Sequence, residues 1–302
     1  MTYPEELDQE RPLNTTWLRD TVRLALSEDL GGYPGRDVTT QATLTEDAAA
    51  SGVIVAREAG IIAGVAVIEE ALNQTAIRLG LRRPVVELKV ADGDALAPGT
   101  VIAEVNGAAQ VLLVAERTIL NLVSRASGVA THTRQWADAL AGTGARVLDT
   151  RKTTPGLREL ERLAVRCGGG VNKRFGLFDC AMIKDNHIVA AGSLAGAIEA
   201  IGEAYPDVPV QVEVESHAQA TEAIGAGARF LMLDNMAPDA MAELVARVRQ
   251  GEKKTGKVWL EATGGLTLDN AADVAATGVD FMSVGALTHS SPILDLALDL
   301  AP

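Results

Sequence analysis

Seven charged side chains in the second half of the chain could together hold a small polyanion. Arg151, Lys152, Lys173, Arg174 and Lys184 supply positive charge, and Glu213 and Asp234 supply carboxylates. A guanidinium matches a carboxylate or phosphate through paired hydrogen bonds, whereas a lysine contributes a compact point charge. From Arg146 to His187 there are nine Lys/Arg against five Asp/Glu, in a chain of net charge −13. A locally basic, glycine-rich segment in an acidic protein points to an anion with several negative charges. The pair Glu213 and Asp234 suits Mg²⁺, which takes one or two carboxylates and draws its other ligands from substrate phosphates and water. Thr263-Gly264-Gly265 and Val284-Gly285-Ala286 form two loops whose backbone N–H groups can approach a phosphate, with a helix expected from about Thr267 aimed at the same place. Gly168-Gly169-Gly170 reads instead as a helix stop.

These residues need a frame. After Arg146 the chain alternates strand and helix, with strands expected at Arg146–Leu148, Ala181–Ile183, Val210–Val214, Arg229–Leu233, Val258–Leu260 and Phe281–Val284. Helices are expected from about Pro155, Ser193, His217, Pro238 and Thr267. Such alternation gives a parallel sheet with right-handed crossovers, and parallel sheets carry their chemistry at the carboxyl ends of strands. Those ends read Thr150-Arg151-Lys152, Lys184-Asp185-Asn186-His187, Glu213 with Glu215, Asp234-Asn235, Glu261 to Gly265, and Gly285. Charge at five of six strand ends is more than a scaffold requires, because buried charge is costly without partners. Periodicity alone leaves a closed barrel and an open sheet undecided, although six strands fall short of the usual eight.

Upstream, Asn14 caps a helix running to Gly31-Gly32, Gly35 to Thr40 forms a polar turn, and short strands follow at Val53–Ala56, Val85–Val90 and Val101–Val105 around a helix near Val65–Leu79. Asp92 to Ala103 resembles half of a biotinyl carrier, but no lysine occupies the turn such a carrier modifies. Gln110 to Ala139 reads as helix, broken near Ser127-Gly128. Apolar residues make up 47% of the chain and aromatics only 3%, so small aliphatic side chains must pack the core. The acidic balance argues against nucleic acid or an anionic membrane as partner. The acidic start lacks a signal-peptide pattern, and no apolar run approaches a membrane span, so the expected location is the cytoplasm. Cys167 and Cys180 have neither zinc spacing nor the number a disulfide scaffold needs.

Taken together, Thr150-Arg151-Lys152-Thr153-Thr154-Pro155-Gly156-Leu157-Arg158, Gly168-Gly169-Gly170-Val171-Asn172 and Ile183-Lys184-Asp185-Asn186-His187 resemble the quinolinate phosphoribosyltransferase family, carboxylating nicotinate-nucleotide pyrophosphorylases. The resemblance extends from Glu28-Asp29-Leu30-Gly31 to Val284-Gly285-Ala286-Leu287-Thr288. It implies an α/β fold: an N-terminal α/β sandwich over 1–120, an incomplete six-stranded parallel α/β barrel over 121–290, and a tail over 291–302 packing back on the sandwich. It further implies quinolinate and phosphoribosyl pyrophosphate as substrates, Mg²⁺ as cofactor, and a homodimer with shared sites. Arg151 and Arg174 would grip quinolinate, with Arg117, in Glu116-Arg117-Thr118-Ile119-Leu120-Asn121, supplied by the neighbouring subunit. Lys152 and Lys184 would lie between quinolinate and pyrophosphate. Lys173 stands where the family usually has histidine. His187 is expected to orient rather than to catalyse. Two alternatives remain at this level: a same-fold relative associated with molybdate transport, and a Schiff-base barrel lyase using Lys184.

Overall fold

A computed structural model describes residues 12–301; the acidic start lies outside them. By compactness the chain forms two units, each assembled from separate stretches of sequence. Among the described residues, one comprises Gln135–Lys152 and Gly170–Ala286, and the other comprises 12–134, 153–169 and 287–301. These units cut across the contiguous ranges 1–120, 121–290 and 291–302, because the stretches 121–134 and 153–169 and the residues from Leu287 onward group with the N-terminal part.

The unit built on the N-terminal part contains a four-stranded antiparallel sheet. Its strand order is Leu296–Leu300, Ala49–Ala56, Val101–Ala108, Val85–Leu88. Leu296–Leu300 pairs antiparallel with Ala49–Ala56, with Gly52 opposite Leu300 and Ala56 opposite Leu296. Helix Thr15–Leu30 begins at Asn14, whose side chain accepts from the Trp17 amide, and ends at Gly31 with φ 73°. Arg78, buried on helix Ala66–Leu79, donates to the carbonyls of Arg23 and Gly32 and to Ser27 Oγ, satisfying groups near that helix end. Asp92, within the carrier-like stretch, accepts from the Gly64 and Val65 amides just before helix Ala66–Leu79, which gives the stretch a structural use.

Helix Ala109–Ala139 runs unbroken for 31 residues, contrary to the expected break at Ser127-Gly128. Gly128 serves close packing instead. A β-carbon there would lie 1.9 Å from the Pro292 carbonyl oxygen, so only glycine admits that segment. The helix expected from Pro155 begins as a turn and becomes α-helical over Arg158–Cys167. Gly168 ends it, and lies so near the Ala130 carbonyl and Thr133 that a side chain could not fit.

Asp37 illustrates how the polar turn at Gly35 to Thr40 acts. Its carboxylate accepts from the Thr39 and Thr40 amides at 2.9 and 3.0 Å, capping helix Val38–Thr43. Burial pushes this carboxyl upward, but the bonds from Thr40 and Thr39 prevail and hold it below the usual aspartate range. Asp37→Ala should lower stability by about 1 kcal/mol near neutrality. A group with a depressed folded pKa contributes above its unfolded value and loses that contribution as pH falls through the folded one. The gap between wild type and Asp37→Ala in urea unfolding should therefore narrow below about pH 4.

The second unit carries a six-stranded parallel sheet, in the order Arg146–Leu148, Phe281–Ser283, Trp259–Thr263, Phe230–Asp234, Val210–Val214, Ala181–Ile183. Register fixes which residues share a face. Glu213 lies opposite Met232, Met232 opposite Glu261, and Glu261 opposite Phe281. On this face Leu148, Phe230, Met232 and Phe281 form a buried cluster with Val171, and Met182 and Trp259 pack against it. Residues from both terminal strands of the sheet meet in one cluster, so the sheet curls as an incomplete barrel. Alternate residues, including Val212, Val214, Leu231, Leu233, Leu260 and Ala262, are buried on the other face.

The two edge strands of this sheet, Arg146–Leu148 and Ala181–Ile183, do not pair with each other. Val171 instead bridges to Leu148, with Val171 N donating to the Val147 carbonyl and Asp149 N to the Val171 carbonyl. A short extended strap thus runs beside the first strand, a feature the strand periodicity does not reveal.

Candidate active site

The strap delivers Lys173 and Arg174 because Asp149 holds it. Asp149, fully buried at the end of the first strand, accepts from the Lys173 amide at 2.6 Å and the Asn172 amide nitrogen at 2.8 Å. Those bonds satisfy both oxygens of the buried carboxyl group. Beyond it, Lys152 N donates to Thr150 Oγ1 at 3.1 Å, tightening the turn that presents Arg151 and Lys152. After Arg174, Asp179 accepts from the Phe175 and Gly176 amides, and Arg174 donates to the Cys180 carbonyl at 3.0 Å.

Thr150, Arg151, Lys152, Lys173, Arg174, Lys184, Glu213 and Thr263 line one cavity of about 330 Å³, together with Met182 and Met232. All five cations expected to bind an anion are among them. The two methionines are an addition: they face inward by register, but nothing in their local sequence marks them as site residues. Lys184 forms an ion pair with Glu213, and Lys184 N donates to His187 Nδ1 at 3.0 Å. His187 therefore holds the start of the short helix Asp185–Ala191, in keeping with an orienting role.

The remaining expected residues lie differently. Asp234 ends the strand beside Glu213 and receives a hydrogen bond from Asn235 Nδ2 at 2.8 Å. Asn235, at φ 50°, donates its amide to the Thr263 carbonyl, and a β-carbon on Gly264 would meet the Asn235 side chain at 2.2 Å. Gly264 is thus required by the close approach of two strand-end loops, and Gly265, with φ 60°, by its backbone conformation. Val284 is buried, its amide donating to the Leu148 carbonyl, and Gly285-Ala286 follow it into a turn of helix at Ala286–His289. The helix expected from Thr267 is a 3₁₀ turn, Leu268–Asn270, followed by the six-residue helix Ala271–Ala276. These two glycine loops thus have a shorter helix behind them than expected. Arg117 does not line the cation cavity. Its exposed side chain lines a different one of about 530 Å³, with Asn121, Arg125 and Asp295.

A buried network absent from the sequence reading fixes the stretch after Lys152. Glu161, with no exposed side-chain surface, accepts from Arg125 Nε and Nη2 and from the amide and hydroxyl of Thr154. Arg125 also donates to the carbonyls of Thr288 and Ser291. Neither cysteine is in a disulfide. Burial, with the nearby Asp92 charge, pushes the Cys167 thiol up to about 12, which removes it as a nucleophile near neutrality.

Comparison with known proteins agrees with this geometry. The N-terminal domain model of quinolinate phosphoribosyl transferase matches residues 37–127, and the C-terminal domain model matches 129–299. A nicotinate-nucleotide pyrophosphorylase [carboxylating] of Mycobacterium leprae is 47% identical over 93% of this chain and 96% of its own. A probable nicotinate-nucleotide pyrophosphorylase [carboxylating] of Bacillus subtilis is 41% identical over 95% of each chain. The solved nicotinate-nucleotide pyrophosphorylase of Francisella tularensis superposes with a TM-score of 0.87 at 34% identity, covering 97% of this chain and 99% of that one. With both domains matched, and a basic cavity at the mouth of an incomplete barrel, this chain belongs to the quinolinate phosphoribosyltransferase family.

Proposed function

We infer that the protein transfers phosphoribose from phosphoribosyl pyrophosphate to the nitrogen of quinolinate, releasing pyrophosphate and then CO2 to leave nicotinate mononucleotide, a precursor of NAD. The observation that carries this reading is one cavity in which Thr150–Lys152, Lys173-Arg174 and Lys184 converge from separate segments. Quinolinate carries two adjacent carboxylates, and phosphoribosyl pyrophosphate carries phosphate at both ends. Five cations opposite such substrates supply charge-assisted bonds of roughly 1.5–3 kcal/mol each.

In the proposed arrangement Arg151, Lys173 and Arg174 bind quinolinate with Thr150 beside them. Lys152 and Lys184 lie toward the departing pyrophosphate, where preorganised positive charge stabilises the oxygens as the C–O bond breaks. Thr263-Gly264-Gly265 and Val284-Gly285-Ala286 receive the ribose 5-phosphate. Ribose C1 gains positive character as pyrophosphate leaves, and the pyridine nitrogen captures it. When the neighbouring carboxylate departs as CO2, its bonding electron pair stays on the ring carbon beside the pyridinium nitrogen, whose positive charge stabilises it until a proton from solvent replaces the lost group. No covalent bond to the protein is required. Lys184, paired with Glu213, serves here as an electrostatic group rather than a Schiff-base amine.

Magnesium is the cofactor we propose. Among the described residues, no group of three or more His, Cys, Asp or Glu could hold a metal by itself. Glu213 and Asp234 on neighbouring strands fit an ion whose other ligands are phosphate oxygens and water. Bound there, it would neutralise charge on the pyrophosphate. The proposed location is the cytoplasm; among the described residues no helix is long and apolar enough to cross a membrane. An assay of purified protein with quinolinate, phosphoribosyl pyrophosphate and Mg²⁺ should yield nicotinate mononucleotide and lose activity on chelation. Absence of product would overturn the reading.

Arg117 we assign to the site of a second copy. It lies outside the lining of the cation cavity, which is consistent with its serving another subunit in a two-fold dimer. Arg117→Ala and Lys152→Ala, each inactive alone, should complement one another when mixed. With free exchange at equal amounts, half the dimers are mixed and one site in each is intact, so about a quarter of wild-type activity returns. Exchange confirmed with differently tagged subunits, without recovery, would show that Arg117 serves its own subunit.

A further inference from the structure

Glu261 has no place among the substrate ligands described above, yet its burial demands a reason. It has no exposed side-chain surface, and its neighbours in register are Met232 and Phe281, neither of which can donate a hydrogen bond to a carboxylate. Oε1 lies 2.6 Å from Lys173 Nζ, while Oε2 is buried without a hydrogen-bond partner. A carboxylate that leaves one oxygen unsatisfied in an apolar interior is costly, and gains only if its charge is used. Lys173 lines the cation cavity, and Glu261 stands behind it.

We propose that Glu261 is a positioning residue for quinolinate, acting by fixing the Lys173 ammonium at the floor of the cavity. The proposal rests on the function inferred above. Lysine carries its charge on a flexible four-carbon stem, with none of the fixed directionality of a ring. At a position where the family resemblance leads one to expect histidine, the ammonium needs something to hold it. Glu261 does so from below, with Met232 Sδ at 3.1 Å from the same nitrogen. Without the carboxylate, Lys173 has reason to swing toward other anionic groups of the site, such as Glu213, and quinolinate meets a displaced charge.

The test is a pair of comparisons on folded protein, with folding checked by thermal melting. Glu261→Gln should raise the quinolinate KM about tenfold while kcat stays within about twofold, the pattern of lost ground-state binding. The phosphoribosyl pyrophosphate KM should not move. In a Lys173→His background, where a ring replaces the flexible ammonium, Glu261→Gln should change the quinolinate KM by less than about twofold, a non-additivity expected of residues that act through one another. An unchanged quinolinate KM in Glu261→Gln, an equal rise for both substrates, or the same rise in the Lys173→His background would each overturn the proposal. Should Glu261→Gln fail to fold, Glu261→Asp keeps the charge but shortens its reach by a methylene, and must show the same selective rise. Calorimetric titration with quinolinate gives a second readout. If wild type yields no nicotinate mononucleotide, the inferred function fails; if wild type is active and the variants behave like it, only the role of Glu261 fails.

Discussion

Lys152→Ala should lower kcat by about 10³-fold, the scale on which removing one preorganised transition-state donor acts. Its melting temperature should stay close to that of wild type. Lys152 is exposed, follows the first barrel strand by a short turn, and lines the cation cavity. That turn is made by its backbone amide and Thr150 Oγ1, which the substitution leaves in place. Exposed substitutions away from caps and buried pairs usually change stability by less than about 0.5 kcal/mol. The loss therefore falls on catalysis, where the ammonium faces charge that develops as pyrophosphate departs. Steady-state kinetics beside thermal melting decide the matter. More than a tenth of wild-type kcat in the variant would remove Lys152 from the reaction.

Glu161→Ala should have the opposite signature. Here the side chain is fully buried and receives Arg125 and Thr154 together. Truncation leaves a guanidinium with only 18% of its side chain exposed and without its carboxylate, which costs about 3–5 kcal/mol. The corresponding drop in melting temperature is roughly 6–20 °C for a unit of this size. Because apolar replacement of a whole buried pair is often neutral, Arg125→Met with Glu161→Leu should recover much of the loss. Urea unfolding of the two variants beside wild type measures both effects. A loss below about 1 kcal/mol for Glu161→Ala would mean that water replaces the carboxylate.

These two residues mark the boundary of what sequence alone discloses. Lys152 was legible because alternating strands and helices put functional groups at strand ends, and the run Thr150-Arg151-Lys152 falls there. The same argument pointed to Arg151, Lys184 and Glu213, and the glycine loop after Gly168 to Lys173 and Arg174. All of these line one cavity with Lys152, whereas Asp234, pointed to in the same way, is not in its lining. A strand-end position marks Glu261 in the same way, but nothing local tells what a buried acid meets. Asp149 meets the Lys173 amide 24 positions away, Glu161 meets Arg125 at 36, and Glu261 meets Lys173 at 88. No local pattern records such separations. Gly128 misled for a related reason: its role is set by Pro292, so reading it as a helix break assigned a local cause to a distant contact. The two strand-end loops were marked by their glycines, but the length of the helix behind them depends on packing that periodicity does not encode.

The strand pairing of Leu296–Leu300 with Ala49–Ala56 acquires a different meaning when the chain is considered as it leaves the ribosome. Arg57 must wait for its ion-pair partner Asp299 while 242 further positions are translated. At typical elongation rates that takes roughly ten seconds to a minute. During this interval the strand carrying Val53, Ile54 and Val55 can pair with Val101–Ala108 on one side, while its other edge is open. Open edges recruit other strands, and a crowded polysome offers many identical ones. The newly made protein thus carries this open edge until Leu296–Leu300 emerges, and a chaperone that shields the edge would protect it over that same interval.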